Sequence, residues 1–183
     1  LFDSTRGTSK VLQTDANSAE NTSSGLTSFD SDGYSMGTYY NQSGRDYVSW
    51  NWRANGGTTS TNSDGSTNST VQADTAAGFS IISYTGNGSN RTIGHGLDSA
   101  PEFMLIKNRD TTDEHKWVDA ARAVQKEISS DSTSTESTDS NGLTSFDSDG
   151  FGLGSGADGY NDNSETFVAW QWRTEGGAGS SNT

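Results

Sequence analysis

No cysteine occurs among the 183 residues, so neither a disulfide nor a thiolate metal site holds this chain together. Small secreted domains often depend on disulfides; this one must rely on size, repetition or association. No run approaches the roughly 20 apolar residues of a membrane span, which argues against membrane insertion. Leu1 to Lys10 show no apolar run behind a basic start, so no signal peptide is read there. Basic residues are also scarce. Eleven Lys and Arg stand against 24 Asp and Glu, a net charge of −13. That potential repels phosphates, which excludes nucleic acid and anionic membranes as expected partners. It suits an extracellular, cation-rich medium, and calcium. Hydrophobic residues make up only 28%, a level at which many chains stay disordered. Aromatics argue against disorder here. Five Trp, six Tyr and seven Phe are present, and each buried aromatic hides roughly 150–250 Å². A thin aromatic core under a polar surface is expected.

What the chain does have is repetition. Residues 25–33 read Gly-Leu-Thr-Ser-Phe-Asp-Ser-Asp-Gly, and residues 142–150 read the same nine. Val48-Ser-Trp-Asn-Trp-Arg53 matches Val168-Ala-Trp-Gln-Trp-Arg173, and Gly-Gly follows each. Upstream, Asp3, Arg6, Lys10, Asp15 and Glu20 match Asp119, Arg122, Lys126, Asp131 and Glu136. Nine identical residues in a row exceed chance, so the chain contains a tandem repeat. Residues 1–57 read as the second half of a unit and 58–77 as a polar linker or long loop. Residues 78–177 read as a complete unit, and 178–183 as the start of another linker. Both ends read as cut from a longer array. Two architectures fit this order. One is a complete unit preceded by an orphaned half. The other is one sandwich in which both second halves pack around a single first half.

Alternation of Val and Trp with polar residues at 48–53 and 168–173 predicts half-buried strands with the Trp rings inside. Phe79 to Tyr84 is a further strand. Phe103-Met-Leu-Ile106, unbroken and apolar, predicts a strand buried on both faces. Asp-Gly between Phe29 and Tyr34, and between Phe146 and Phe151, predicts two hairpins. The stretch 119–128 favours a helix by propensity. Its match at 3–12 contains Gly7 and β-branched residues, which favours strand or loop for both. An all-β fold follows, with antiparallel strands.

Gly78-Phe-Ser-Ile-Ile-Ser-Tyr-Thr-Gly-Asn-Gly88, Ile93-Gly-His-Gly-Leu97, Ala100-Pro101 and Leu105-Ile-Lys-Asn-Arg109 resemble the repeats of marine bacteriophage tail-fibre and related virion structural proteins. Leu1-Phe-Asp-Ser-Thr-Arg-Gly7, Thr27 to Gly33 and the Val-x-Trp-x-Trp strand belong to the same pattern. The resemblance implies a β-sandwich, jelly-roll or lectin-like, built from tandem repeats on a virion appendage. It implies a structural or receptor-binding role without catalytic residues. The chain departs from the pattern by starting within a repeat, with Leu1 where the match has Trp117.

The remaining chemistry is sparse. Only His95 and His115 are present, and no Gly-x-Ser-x-Gly, His-Glu-x-x-His or P-loop motif occurs. No enzyme is expected. His95, between glycines, reads as a hydrogen-bonded loop residue, and His115, in a charged run, as solvated. Asp30 and Asp32, with Asp147 and Asp149, open Asp-x-Asp-Gly sequences that suit either a hairpin or a calcium loop. The twelfth positions, Asn41 and Asp158, lack the glutamate of an EF-hand. Tyr39, Tyr40 and Tyr160 lie in polar loops and are the candidates for stacking on a host-surface glycan. The expected function is a non-enzymatic virion fibre module. A cellular extracellular adhesin or filament protein is the alternative. Other copies of the chain are the expected partners.

Overall fold

The computed structural model describes residues 1–156 and 159–174. The expected linker start at 178–183 lies outside them, as do the two Gly-Gly positions at 176–177. Fifteen strands occur among the described residues, and the only helical turns are two short 3-10 segments. In chain order the strands are β1 (Lys10–Val11), β2 (Asn21–Thr22), β3 (Leu26–Phe29), β4 (Tyr34–Met36) and β5 (Ser60–Asn62). Next come β6 (Ser69–Asp74), β7 (Phe79–Thr85), β8 (Arg91–Gly94), β9 (Phe103–Asn108) and β10 (Lys116–Asp119). The last five are β11 (Lys126–Ser129), β12 (Ser137–Thr138), β13 (Leu143–Phe146), β14 (Gly150–Leu153) and β15 (Thr166–Trp172). The fold is all-β, and all strand pairs are antiparallel.

The main sheet has eight strands in the order β12-β11-β10-β9-β15-β7-β6-β5. Its centre is β15, which lies between β9 and β7 although β9 precedes it by some sixty residues. A three-stranded sheet, β13-β14-β8, packs on one face. Period-two alternation divides the central strands between two cores. Ile82, Tyr84, Met104, Ile106, Phe167 and Ala169 face the small sheet, where Ile93, Leu143, Phe151 and Leu153 meet them. Phe79, Ile81, Leu105, Val168 and Trp170 face the other way and are covered by Leu12, Ala54 and Leu1. Both faces of β7, β9 and β15 are therefore buried, as the unbroken run at 103–106 predicts.

Two expectations need correction. Residues 58–77 are not a linker. Ser69 to Asp74 form a six-residue strand paired along β7, and β5 pairs with it to make the sheet edge. The alternation Ser69, Val71 against Thr70 fits a strand whose polar residues mask it in composition. Residues 48–53 are not a strand either. Trp50 is 73% exposed, whereas its match Trp170 is 3% exposed. The reason is topological: β7 and β9 flank β15, and no such pair flanks 48–53. Finally, both expected hairpins form, but neither uses a left-handed glycine. The loops close with the Asp30 amide donating to Gly33 O and the Asp147 amide donating to Gly150 O, each at 2.9 Å. Gly150 is required for close approach instead. A Cβ there would stand 2.4 Å from the carbonyl oxygen of Ile93 on β8.

Candidate functional site

The matched segments build the same local device twice. In the first, Asp3 accepts from the Arg6 amide (2.9 Å) and from Arg6 Nε (2.6 Å), Arg6 Nη1 reaches Glu20 (2.9 Å), and Nη2 donates to Leu1 O. In the second, Asp119 accepts from the Arg122 amide (2.8 Å) and Nε (2.6 Å), Arg122 Nη1 reaches Glu136 (3.2 Å), and Nη2 donates to Trp117 O. Lys10–Glu20 and Lys126–Glu136 both stand at 3.6 Å. The two clasps differ in surroundings. The Arg6 clasp lies on the main sheet, its guanidinium 5.3 Å from the Trp170 ring centre, and its three side chains are buried. Arg109, at the end of β9, closes on Glu20 from the sheet side. The carboxyl of Glu20 has opposing influences. Burial alone would raise its pKa, but the hydrogen bonds from Arg109 and Arg6 outweigh that and hold it down at about 2. The second clasp has no such cover. Ile128, the match of the fully buried Leu12, is exposed beside it.

The tyrosines part company. Tyr39 is exposed, and Tyr40 is half-buried with its ring edge on Phe2 and Tyr39. Tyr160, expected in an open loop, is a core residue instead, and its ring has no face free for a sugar. Its hydroxyl donates to Glu127 at 2.6 Å, and Glu127 also accepts from Lys116 (3.0 Å) and Ser137 (2.9 Å). Tyr40 and Tyr160 are matched positions, and each ring lies against a glycine, Gly25 or Gly142. Where Tyr160 finds Glu127, the matched position is Val11, so nothing there draws the Tyr40 hydroxyl inward.

The four hairpin aspartates are turn residues. Asp30 accepts from Ser35 (2.9 Å) and Asp147 from Ser145 (3.0 Å), while Asp32 and Asp149 are exposed. No third carboxylate joins either pair among the described residues. Among the described residues, carboxylates converge elsewhere: Asp113, Asp162 and Glu165 each place an oxygen within 4.8 Å of the others. Asn108 donates to both Asp113 and Glu165. Sequence reasoning missed this group because its members meet only through the β9–β15 pairing, which sets Asn108 opposite Phe167.

Both histidines are buried. The Leu97 amide donates to His95 Nδ1 at 3.0 Å, so Nε2 carries the proton toward Asp147 O at 3.1 Å. His95 thus ties the β8 end to the β13–β14 loop, as a hydrogen-bonded loop histidine would. His115, expected in solvent, is also fully buried, with Nδ1 2.8 Å from Asp131. Burial lowers the pKa of each. Lys107, equally buried, donates to the carbonyls of Asn108 and Thr111.

The remaining feature is a row of exposed apolar side chains on the first matched segment. Phe29, Tyr34, Tyr47, Val48 and Trp50 are exposed, and Trp52, also more than half exposed, rests its ring against Trp172 at 5.7 Å. The family model of the domain of unknown function DUF7483 matches residues 1–114 and again residues 100–183. The chain belongs to the DUF7483 family. No curated protein and no solved structure matches it. The exposed row lies within the first matched stretch of this DUF7483 chain, and its counterpart lies within the second.

Proposed function

We propose that this DUF7483 chain is a non-enzymatic structural module of a virion fibre or appendage, joined in series with modules of its own kind and lying beside other copies. The observation that carries the reading is the clasp between Glu20 and Arg109. It seats one half-unit on the sheet completed by the next, across 89 positions of sequence. A contact that docks one half-unit on the sheet of the next, in a chain of −13 net charge whose local clasp is built twice, suits an extended extracellular assembly. Host-surface glycan is the proposed ligand, with Tyr39 as the accessible ring and Tyr40 beside it.

Mass spectrometry of purified virions from the source tests the location. The chain should appear in fixed proportion to capsid protein. Its recovery instead from cell-surface fractions, absent from virions, supports the adhesin or filament reading. For the ligand, a glycan array with the wild-type chain and Tyr39→Ala should show signals that the substitution removes. Equal signals from both proteins would remove Tyr39 from the proposal.

A further inference from the structure

The exposed apolar row has a twin in the same molecule that is buried except for the half-buried Phe146 and Trp172. Counting 117 positions on, Phe29 and Tyr34 match Phe146 and Phe151; counting 120 on, Tyr47, Val48, Trp50 and Trp52 match Phe167, Val168, Trp170 and Trp172. The segment 78–114 flanks the twin on both edges and buries its Phe151 and Phe167, while Leu1, Leu12 and Ala54 cover Val168 and Trp170. Its strands β7 and β9 flank β15 along seven and six residue pairs. Its strand β8 pairs with β14, Gly150 opposite Gly94 and Phe151 opposite Ile93. Phe167 and Phe151 are fully buried by these contacts, whereas Tyr47 is 53% and Tyr34 38% exposed.

The first segment is formed as though for the same neighbours. Hairpin β3–β4 has the register of β13–β14, including the irregularity after its leucine. Its outer edge, where β8 would run, is open: a Cβ on Gly33 meets nothing within 4 Å. Gly44, at φ +74°, and Ser164, at φ +69°, are matched left-handed turn residues leading into 46–53 and 166–173. The Tyr34 hydroxyl holds Ser49 at 2.8 Å, keeping the row beside its hairpin. Charge completes the match. Arg173 at the end of β15 pairs with Asp98 and donates to Thr75 O. Arg53 is exposed and makes no ion pair among the described residues.

We propose that residues 25–53 are a docking surface for another DUF7483 module. That module supplies a segment like 78–114: two apolar strands with a gap between them, a third strand against β4, and an acid at the position of Asp98. Residues 46–52 enter the gap as the central strand, and Arg53 pairs with the acid. The proposal rests on the reading of the chain as an assembly module, though not on its place in a virion. An identical copy is not the occupant. Its gap already holds β15, so the described residues contain two segments of this sequence and one gap for them.

The test extends the full chain at its start with a second copy of residues 78–116, which recreates the junction found at 116–117. Hydrogen exchange is followed in peptides 46–53 and 166–173, which differ in sequence. In the unextended chain the amides of 47–52 should exchange freely. Extension should slow them at least about a hundredfold, as for paired central strands, with 166–172 protected in both. Arg53→Asp should weaken that protection, and Asp98→Arg in the added copy alone should restore it. Unchanged exchange at 47–52 overturns the proposal. So does protection gained there at the expense of 166–172, or protection that the unextended chain acquires by dimerising. If extension disrupts the fold, residues 78–116 are added as a separate polypeptide. Saturable binding with protection at 47–52 then supports the docking surface, and no binding overturns it. None of these failures would bear on whether virions contain the chain.

Discussion

Glu20 and Arg109 meet side-on, Oε2 to Nε at 2.8 Å and Oε1 to Nη2 at 3.0 Å, while the Glu20 amide donates to Arg109 O at 2.8 Å. Two parallel charge-assisted bonds fix orientation as well as proximity. Arg109→Ala leaves the buried Glu20 carboxylate with Arg6 and the more distant Lys10. It should cost about 3 kcal/mol in a denaturant melt. Arg122→Ala, in the more exposed second clasp, should cost less than about 1 kcal/mol. Equal losses would mean that the first clasp does not seat the half-unit.

The tryptophan pairs give a sharper contrast. Trp170→Ala removes a side chain packed among Leu12, Ile81 and Val168 and should cost about 3–5 kcal/mol. Trp50→Ala in the same chain should change stability by no more than about 0.5 kcal/mol. A large loss at Trp50 would show that the row is already covered in the isolated chain.

Tyr160 and Tyr40 differ by one partner. Tyr160→Phe leaves Glu127 short of its 2.6 Å donor and should destabilise by roughly 1.5–3 kcal/mol. Tyr40→Phe should be close to neutral, since its hydroxyl makes no hydrogen bond among the described residues. Thermal melts of the two variants measure the difference.

Acid should weaken the fold in two stages. His95 and His115 have pKa values lowered by burial from the ordinary 6.5. The unfolded chain therefore binds more protons below about pH 6.5, and stability falls as pH drops from there toward the folded values. Glu20, held at about 2 against an ordinary 4.5, adds stability that is present above 4.5 and lost as pH falls toward 2. Urea midpoints should thus decline between pH 7 and 5, before the carboxylate begins to contribute. A flat profile over that interval would mean that neither histidine is kept neutral by the fold.

Much of this was legible in the chain, and the misses share a cause. The β7 and β9 strands announce themselves by apolar runs, and both Asp-Ser-Asp-Gly hairpins by turn chemistry. The burial of Tyr160 and His115 was not legible. Each sits in a polar stretch, and the carboxylates that hold them, Glu127 and Asp131, lie 33 and 16 positions away. The strand at 69–74 was hidden because its buried residues include Ser69 and Gln72, one on each face, which the hydropathy of a strand does not flag.

Local sequence by itself determined the strand periods, the hairpin loops, the two clasps and the duplication that relates them. Those features depend on neighbours within a few residues or on a short return of the chain. Tertiary structure alone decided which of two nearly identical Val-x-Trp-x-Trp segments is a strand. A central strand draws its hydrogen bonds and its burial from the chains on either side. Residues 166–172 lie between Phe79–Thr85 and Phe103–Asn108, while 48–53 have no such pair among the described residues. The same side chains are therefore core in one place and surface in the other.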